Sequence, residues 1–143
     1  MKKTTIATLI LVITQIALFS LFAQEMVIKK PIYLHQQHKS VHSSSEHLNQ
    51  FTGTGLVILD FYADWCNPCK RMSPLIDMAA ANLPQFTFIK INRDFFMDLA
   101  KAFNITSIPT LIFLRDGKEI GRYDGGPLTQ NSLEQLVLNK YQQ

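Results

Sequence analysis

The chain has 143 residues, 47% hydrophobic and 17% charged, a length that suits one domain with a full hydrophobic core. Lys2 and Lys3 are the only charged residues before Glu25, and removing them from the 14 basic residues leaves 12 against 11 acidic ones. A body so close to neutrality lacks the basic surface that nucleic-acid binding requires. Two cysteines exclude a multi-disulfide scaffold and a four-cysteine zinc or iron–sulfur site within one chain.

The N-terminal segment has the pattern of an export signal. Two lysines give a positive start, and an apolar run follows from Ile6 to Ala23. We expect residues 1–23 to be a signal peptide cleaved after Ala23, although Leu21 is larger than is usual three residues before a cleavage site. If the run is retained, it is long enough to anchor the protein in the inner membrane. With no cysteine near this junction, a lipoprotein is excluded, and either form predicts a periplasmic body.

The next segment, residues 24–50, is polar and reads as an N-terminal extension of the folded domain. Apolar residues at 26–28 and 31–34 predict one short strand, and Ser45 is a candidate N-cap for a short helix through Phe51. This segment also contains all four histidines of the chain: His35, His38, His42 and His47.

Residues 51–143 alternate between strand and helix patterns. The near-continuous apolar run at 56–62 is typical of a strand buried on both faces. Apolar residues spaced by three and four from Met72 to Leu83 predict a helix that contains Pro74. A second strand is predicted at 86–91, followed by a helical face at 96–103.

The C-terminal third predicts a hairpin and a closing helix. Strand patterns at 110–114 and 119–123 flank Asp116-Gly117, a dipeptide that favours a two-residue hairpin turn. A last helical pattern lies at 133–141. The order of elements indicates a three-layer α/β/α domain in which helices cover a central mixed sheet.

The two cysteines lie at the predicted start of the first long helix, in Cys66-Asn67-Pro68-Cys69. Free N–H groups and the positive end of the helix dipole favour a thiolate there, and the thiolate is the attacking species in disulfide exchange. Lys70 adds a nearby positive charge. We expect Cys66 to be the exposed nucleophile and Cys69, one turn into the helix, to be the more buried resolving thiol. Trp65 either shields this pair or simply packs beside it.

Two other interpretations of the cysteines compete with this one. The pair could be half of a zinc site completed by upstream histidines, or a structural disulfide without a catalytic role. The histidines lie in a polar stretch, and they precede the cysteines, whereas the usual zinc finger has cysteines first. We therefore expect a solvated histidine segment and no metal.

Two charged residues interrupt the apolar strands. Asp60 lies on the strand face that carries Leu56 and Ile58, and Lys90 lies on the equivalent face of the next strand. Burying either charge alone costs several kcal/mol. On neighbouring strands they would meet beneath the helix that carries Cys69, where a desolvated Asp60 could accept the Cys69 proton. Alternatively, that end of the strand face is open to solvent and both charges are exposed.

The sequence resembles thioredoxin in residues 59–70, Pro74, Lys90, Ile108-Pro109-Thr110 and Gly125, in order and spacing. The resemblance covers residues 55–141. It implies the α/β fold above, disulfide exchange through the Cys-x-x-Cys pair, and a buried Asp60 with Lys90 as its partner. It also implies a cis peptide bond at Pro109, which lets the backbone of Ile108 pair with a substrate peptide. From the residues alone, Pro109 would be a trans turn residue.

Two departures from thioredoxin bear on the direction of electron flow. Asn67 stands where thioredoxin has glycine, and the chain carries an export signal. Asp60, Lys90 and Pro68 together with the absence of histidine between the cysteines favour a reductase of protein disulfides. An exported reductase needs electrons, so we expect a membrane thiol-reductant transporter as donor and no cofactor. The alternatives are a periplasmic oxidant or isomerase, and a non-enzymatic binding or assembly factor.

Overall fold

The computed structural model describes residues 13–15, 30–34, 53–126 and 128–142. Residues 13–15 are helical, and no helix within the described ranges is both long and apolar enough to cross a membrane. The remainder of the predicted signal segment, the helix predicted after Ser45 and the four histidines lie outside these ranges.

The described part of the chain contains a five-stranded mixed sheet in the order β1-β3-β2-β4-β5. β1 and β2 both run parallel to β3, whereas β4 is antiparallel to β2 and to β5. The three central strands are almost entirely buried, as their apolar runs predict. The strand bounds are β1 Ile32–Leu34, β2 Leu56–Tyr62, β3 Thr87–Asn92, β4 Thr110–Arg115 and β5 Lys118–Asp124.

The hairpin between β4 and β5 turns at the predicted dipeptide. Asp116 and Gly117 have φ angles of 50° and 75°, the left-handed conformation that a two-residue turn of this kind requires. The Asp116 carboxylate accepts a hydrogen bond of 2.8 Å from the N–H of Gly55, and the Asp116 N–H donates to the Gly55 carbonyl at 2.9 Å. These two bonds fasten the hairpin to the chain just before β2.

Among the described residues, three helices cover the sheet: α1 Asn67–Asn82, α2 Met97–Ala102 and α3 Gln130–Gln142. α1 starts five residues before its apolar periodicity because the cysteine segment forms its first turn, and it continues through Pro74. Met72, Ile76 and Ala79 bury its apolar face. α1 and α3 pack on one face of the sheet, and α2 packs on the other.

The core therefore has two layers separated by the sheet, which confirms the predicted α/β/α architecture. Alternate residues of the strands supply the two layers because successive strand side chains point to opposite faces. The layer beneath α2 contains Leu59 and Phe61 of β2, and the layer beneath α1 and α3 contains Ile58 of the same strand. Asp60 and Lys90 occupy the second layer at its cysteine end.

Candidate active site

Cys66 and Cys69 form a disulfide at the N-terminus of α1, with their Cα atoms 5.2 Å apart. Cys66 is the N-cap residue, and its sulfur accepts a hydrogen bond of 3.2 Å from the backbone N–H of Cys69. Both residues are only 4% exposed, because Ala63, Tyr62 and Ile108 pack around them. The expectation of an exposed Cys66 beside a more buried Cys69 is therefore wrong for this oxidised form.

The peptide bond between Ile108 and Pro109 is cis, as the resemblance implied. The turn brings the carbonyl oxygen of Ile108 to 3.9 Å from the Cys66 sulfur. Ile108 and Pro109 also line a groove of about 220 Å³ together with Pro68 at the start of α1 and Gly125 after β5. A Cβ at Gly125 would come within 2.7 Å of the Tyr123 hydroxyl, so glycine allows the Tyr123 side chain to pack against the backbone beside the groove.

Trp65 lies beside the disulfide and is 65% exposed, so it is not a core residue. Its indole N–H donates a hydrogen bond of 2.8 Å to the carboxylate of Asp94. Asn92 supports this loop, since its side chain accepts from the Asp94 N–H at 3.0 Å and donates to Asp64 at 3.2 Å. The ring is therefore fixed at one edge by Asp94, and most of it is open to solvent.

Asp60 lies behind the disulfide, nearly completely buried on β2. It shares with Cys69 the lining of a cavity of about 270 Å³, large enough for several water molecules. Burial raises the pKa of Asp60 from 3.8 to about 7; the charge of Lys90 lowers it, and the charge of Asp77 raises it further. A carboxyl group with such a pKa changes protonation state around neutral pH, which suits a proton acceptor.

Lys90 is also buried and stands opposite Asp60 in the β2–β3 register, but its ion pair differs from the expected one. Its ammonium nitrogen lies 3.3 Å from a carboxylate oxygen of Asp77 in α1. It also donates to the hydroxyls of Ser73 and Tyr33. Register brings the backbones of Asp60 and Lys90 together and both side chains line the same cavity, but the Lys90 ammonium pairs with the α1 stripe of Ser73 and Asp77.

This site also contains three residues that the sequence patterns did not predict: Ser73, Asp77 and Tyr33. Two of them had a signal, because Cys69, Ser73 and Asp77 are spaced by four and so lie on one stripe of α1. Tyr33 had none: it reaches Lys90 only because β1 pairs with β3 in a register that places the two residues opposite each other.

The zinc alternative needs sulfurs free to bind metal, whereas both are joined in the disulfide here. Within the described ranges, no group of three or more His, Cys, Asp or Glu side chains is arranged to hold a metal ion. The four upstream histidines lie outside those ranges.

Comparison with known proteins gives one consistent result. The family model for thioredoxin matches residues 38–139. The thioredoxin of Chlamydia pneumoniae is 44% identical over 82 residues, covering 57% of this chain and 80% of that protein. Mitochondrial thioredoxin-2 of Schizosaccharomyces pombe is 32% identical over 104 residues, or 73% of this chain and 76% of that one.

Solved structures agree with these relatives. The crystal structure of a thioredoxin from Nicotiana alata superposes with a TM-score of 0.65 at 31% identity, covering 78% of this chain and 93% of that one. Oxidised thioredoxin from Plasmodium falciparum gives a TM-score of 0.62 at 29% identity, covering 76% and 96%.

Proposed function

This chain belongs to the thioredoxin family, and on that premise we propose that it is an exported, periplasmic reductase of protein disulfides. The family and the Cys66–Cys69 pair establish a thiol–disulfide oxidoreductase. One observation supports the proposed mechanism above all others: the disulfide at the start of α1 lies between the cis peptide at Pro109 and the cavity that Asp60 lines.

The first step begins from the reduced protein. The Cys66 thiolate attacks one sulfur of a substrate disulfide, the substrate S–S bond breaks, and the released substrate thiolate takes a proton from water. The mixed disulfide joins Cys66 to the sulfur that it attacked. The N-terminus of α1 stabilises the attacking thiolate, and the Cys69 N–H already points at this sulfur from 3.2 Å.

The second step releases the substrate. The Cys69 thiol passes its proton through the cavity to the Asp60 carboxylate, and the resulting thiolate attacks Cys66. The Cys66–Cys69 bond forms, the mixed disulfide breaks, and the second substrate thiolate leaves and is protonated. The substrate has gained two electrons and two protons, and the protein ends in the disulfide form described here.

Substrate positioning is assigned to the groove beside the disulfide. An extended peptide laid along it meets the backbone of Ile108, while Pro109 contributes no competing N–H. The exposed ring of Trp65, next to Cys66 in the chain, offers a substrate an apolar surface. Both features favour a protein segment around a cystine as substrate.

Export is supported by the two N-terminal lysines and the apolar run from Ile6 to Ala23. Outside the cytoplasm the protein has no access to soluble cytoplasmic reductants. Regenerating its thiols requires two electrons for every turnover, so the proposed donor is a membrane protein that carries thiol-reducing equivalents across the bilayer.

A trapping experiment tests the exchange mechanism. In Cys69→Ala the second step is blocked, so exported extracts should yield covalent complexes joined through Cys66 that dithiothreitol releases. The matched control, Cys66→Ser with Cys69 intact, should give none. No insulin-disulfide reduction by the native chain, together with no trapped complexes in Cys69→Ala, would instead favour a binding or assembly factor.

The direction of electron flow is tested by the reduction potential of the purified chain. Reference values run from about −270 mV for thioredoxin to about −120 mV for a strong periplasmic oxidant. A reductase should lie below about −200 mV. A potential near the oxidising end would support the oxidant or isomerase and contradict the reductase.

The role of Asp60 is tested by stopped-flow measurement of the second step. Its rate should rise with pH through about 7 in the native protein, as Asp60 ionises. Asp60→Asn should slow this step about 100-fold and remove the inflection, while the initial attack by Cys66 stays nearly unchanged. Equal slowing of both steps would contradict a proton-accepting role.

Cell fractionation and N-terminal sequencing test export. A cleaved chain should begin at Gln24 in the periplasm, and a retained segment should leave the full chain in the membrane fraction with its body accessible to added protease. Recovery of the full chain only from the cytoplasm would overturn this part of the proposal.

A further inference from the structure

We propose that Asp77 is a positioning residue that, with Ser73 and Tyr33, holds the Lys90 ammonium away from Asp60 and so keeps Asp60 able to accept the Cys69 proton. The inference rests on the exchange mechanism proposed above. It assigns a task to a polar cluster beneath α1 that the bond-forming steps themselves do not use.

The hydrogen bonds of Lys90 show where its ammonium group is held. A lysine ammonium has three donors. In this structure it has three acceptors within hydrogen-bonding distance: the Asp77 carboxylate at 3.3 Å, the Tyr33 hydroxyl at 3.3 Å and the Ser73 hydroxyl. Its donors are therefore fully used by groups other than Asp60, although Asp60 stands directly opposite it across the β2–β3 pair.

Two further contacts fix the ammonium at this place. The Tyr33 hydroxyl donates a hydrogen bond of 2.7 Å to the same Asp77 oxygen that faces Lys90. The ammonium also lies 4.7 Å from the centre of the Tyr33 ring, a cation–π distance. Tyr33 thus both orients Asp77 and contacts Lys90. Through these contacts, side chains from β1, β3 and α1 meet at the Lys90 ammonium.

The electrostatic result for Asp60 has a definite sign. Lys90 lowers the Asp60 pKa and Asp77 raises it, while burial is the largest cause of its rise to about 7. Asp77→Asn removes the raising charge and replaces the ion pair of Lys90 with a weaker hydrogen bond to an amide oxygen, so the ammonium is held less firmly away from Asp60. Both changes lower the pKa of Asp60. The titratable groups around Asp60 are Tyr62 on β2, Asp64 in the next turn, Lys90 on β3, Lys70 and Asp77 on α1, and Tyr33 on β1.

The test compares Asp77→Asn with Asp98→Asn in the full chain. Asp98 is a suitable control because it also has a lysine partner, Lys101 at 4.0 Å, but is exposed on α2 across the sheet. Carboxyl-carbon NMR of the oxidised protein, in which the cysteines do not titrate, reports the midpoint of Asp60. Asp77→Asn should move that midpoint down by about one pH unit, and Asp98→Asn should leave it unchanged.

Kinetics give the second readout. The pH inflection of the second step should move down together with the Asp60 midpoint in Asp77→Asn. A purely structural role for Asp77 would lower the free energy of unfolding without moving either quantity. An unmoved midpoint, or an equal shift in Asp98→Asn, would overturn the proposal.

Tyr33→Phe keeps the proposal testable if Asp77→Asn fails to fold. It removes one acceptor of Lys90 and the donor that orients Asp77, so a smaller downward shift of the Asp60 midpoint is expected. No shift would count against the proposal. The NMR midpoint needs no disulfide substrate, so it distinguishes failure of this inference from failure of the proposed reductase function.

Discussion

The two faces of one sheet both carry apolar layers, but they differ at the end that carries the cysteines. Beneath α2, the side chains of Leu59 and Phe61 form a layer of apolar residues. Beneath α1, the intervening residue Asp60 and its neighbour Lys90 are buried to the same degree but are ionisable, and they lie at the end that carries the cysteines. The same two strands thus support a stabilising layer on one side and a chemically active cavity on the other.

The difference shows that burying ionisable groups on the α1 face lowers the stability of the fold. A buried carboxyl with a pKa near 7 is held by desolvation in an environment that disfavours its charged form. Perturbed groups of this kind concentrate where a protein performs proton transfer, because the perturbation matches the group to the working pH. The apolar face, which has no such task, is free to maximise burial.

The largest expected effect comes from damaging the apolar face. Leu59→Ala should lower the free energy of unfolding by about 3 kcal/mol, since Leu59 is fully buried and its truncation leaves a cavity. The loss should be equal at pH 5 and pH 8 because no titratable group is touched. Urea unfolding at both pH values checks this, and a clearly pH-dependent loss would show that the two faces are coupled.

The next effect has the opposite sign and comes from the active face. The pKa of Asp60 is about 7 folded and about 3.9 unfolded, so between these values the folded state alone keeps the proton. The contribution of Asp60 to stability therefore falls as the pH rises from about 4 to about 7. Asp60→Asn, which removes the buried charge, should gain about 2 kcal/mol at pH 8 and little at pH 5.

Urea unfolding of Asp60→Asn at the two pH values measures this gain, with Leu59→Ala as the matched neighbour on the same strand. A variant that is less stable than the native protein at pH 8 would contradict the assignment of Asp60 as a desolvated acid.

The smallest expected effect comes from a polar residue on the α1 face that lies away from the cysteines. Tyr141 on α3 lies far along this face, with its hydroxyl 2.6 Å from the Val57 carbonyl and 3.0 Å from that of Leu114. Burial raises the pKa of Tyr141 above its usual range, so the hydroxyl stays a neutral donor. Tyr141→Phe should lower the free energy of unfolding by about 1 kcal/mol.

The same variant should leave the pH inflection of the second exchange step where it is, measured by stopped flow beside the native protein. A moved inflection would mean that the polar groups of this face act as one network rather than as a separate cluster at the cysteine end.

Much of the fold followed from local patterns. Apolar runs fixed the buried strands, spacings of three and four located the helical faces, and Asp116-Gly117 located the hairpin, because each of these signals depends only on neighbours in the chain. Bounds moved by a few residues, most of all at α1, whose first turn is the cysteine segment that precedes the apolar periodicity from Met72. The cis peptide at Pro109 came from the resemblance to thioredoxin, since nothing local distinguishes it from a trans turn.

Alternation along β2 and β3 was enough to place Asp60 and Lys90 on one face of the sheet, since side-chain direction in a strand follows directly from position. It left open whether that end of the face is buried or open to solvent, and the assembled layers bury both residues. Strand alternation could not predict which side chains pair with the Lys90 ammonium. Tyr33 is 57 residues from Lys90, and their contact depends on the register of an edge strand and the distance of α1 from the sheet. Whether a hydrogen bond forms depends on tenths of an ångström in the distance between donor and acceptor. When these atoms are far apart in sequence, only the packing of helices on the sheet brings them together.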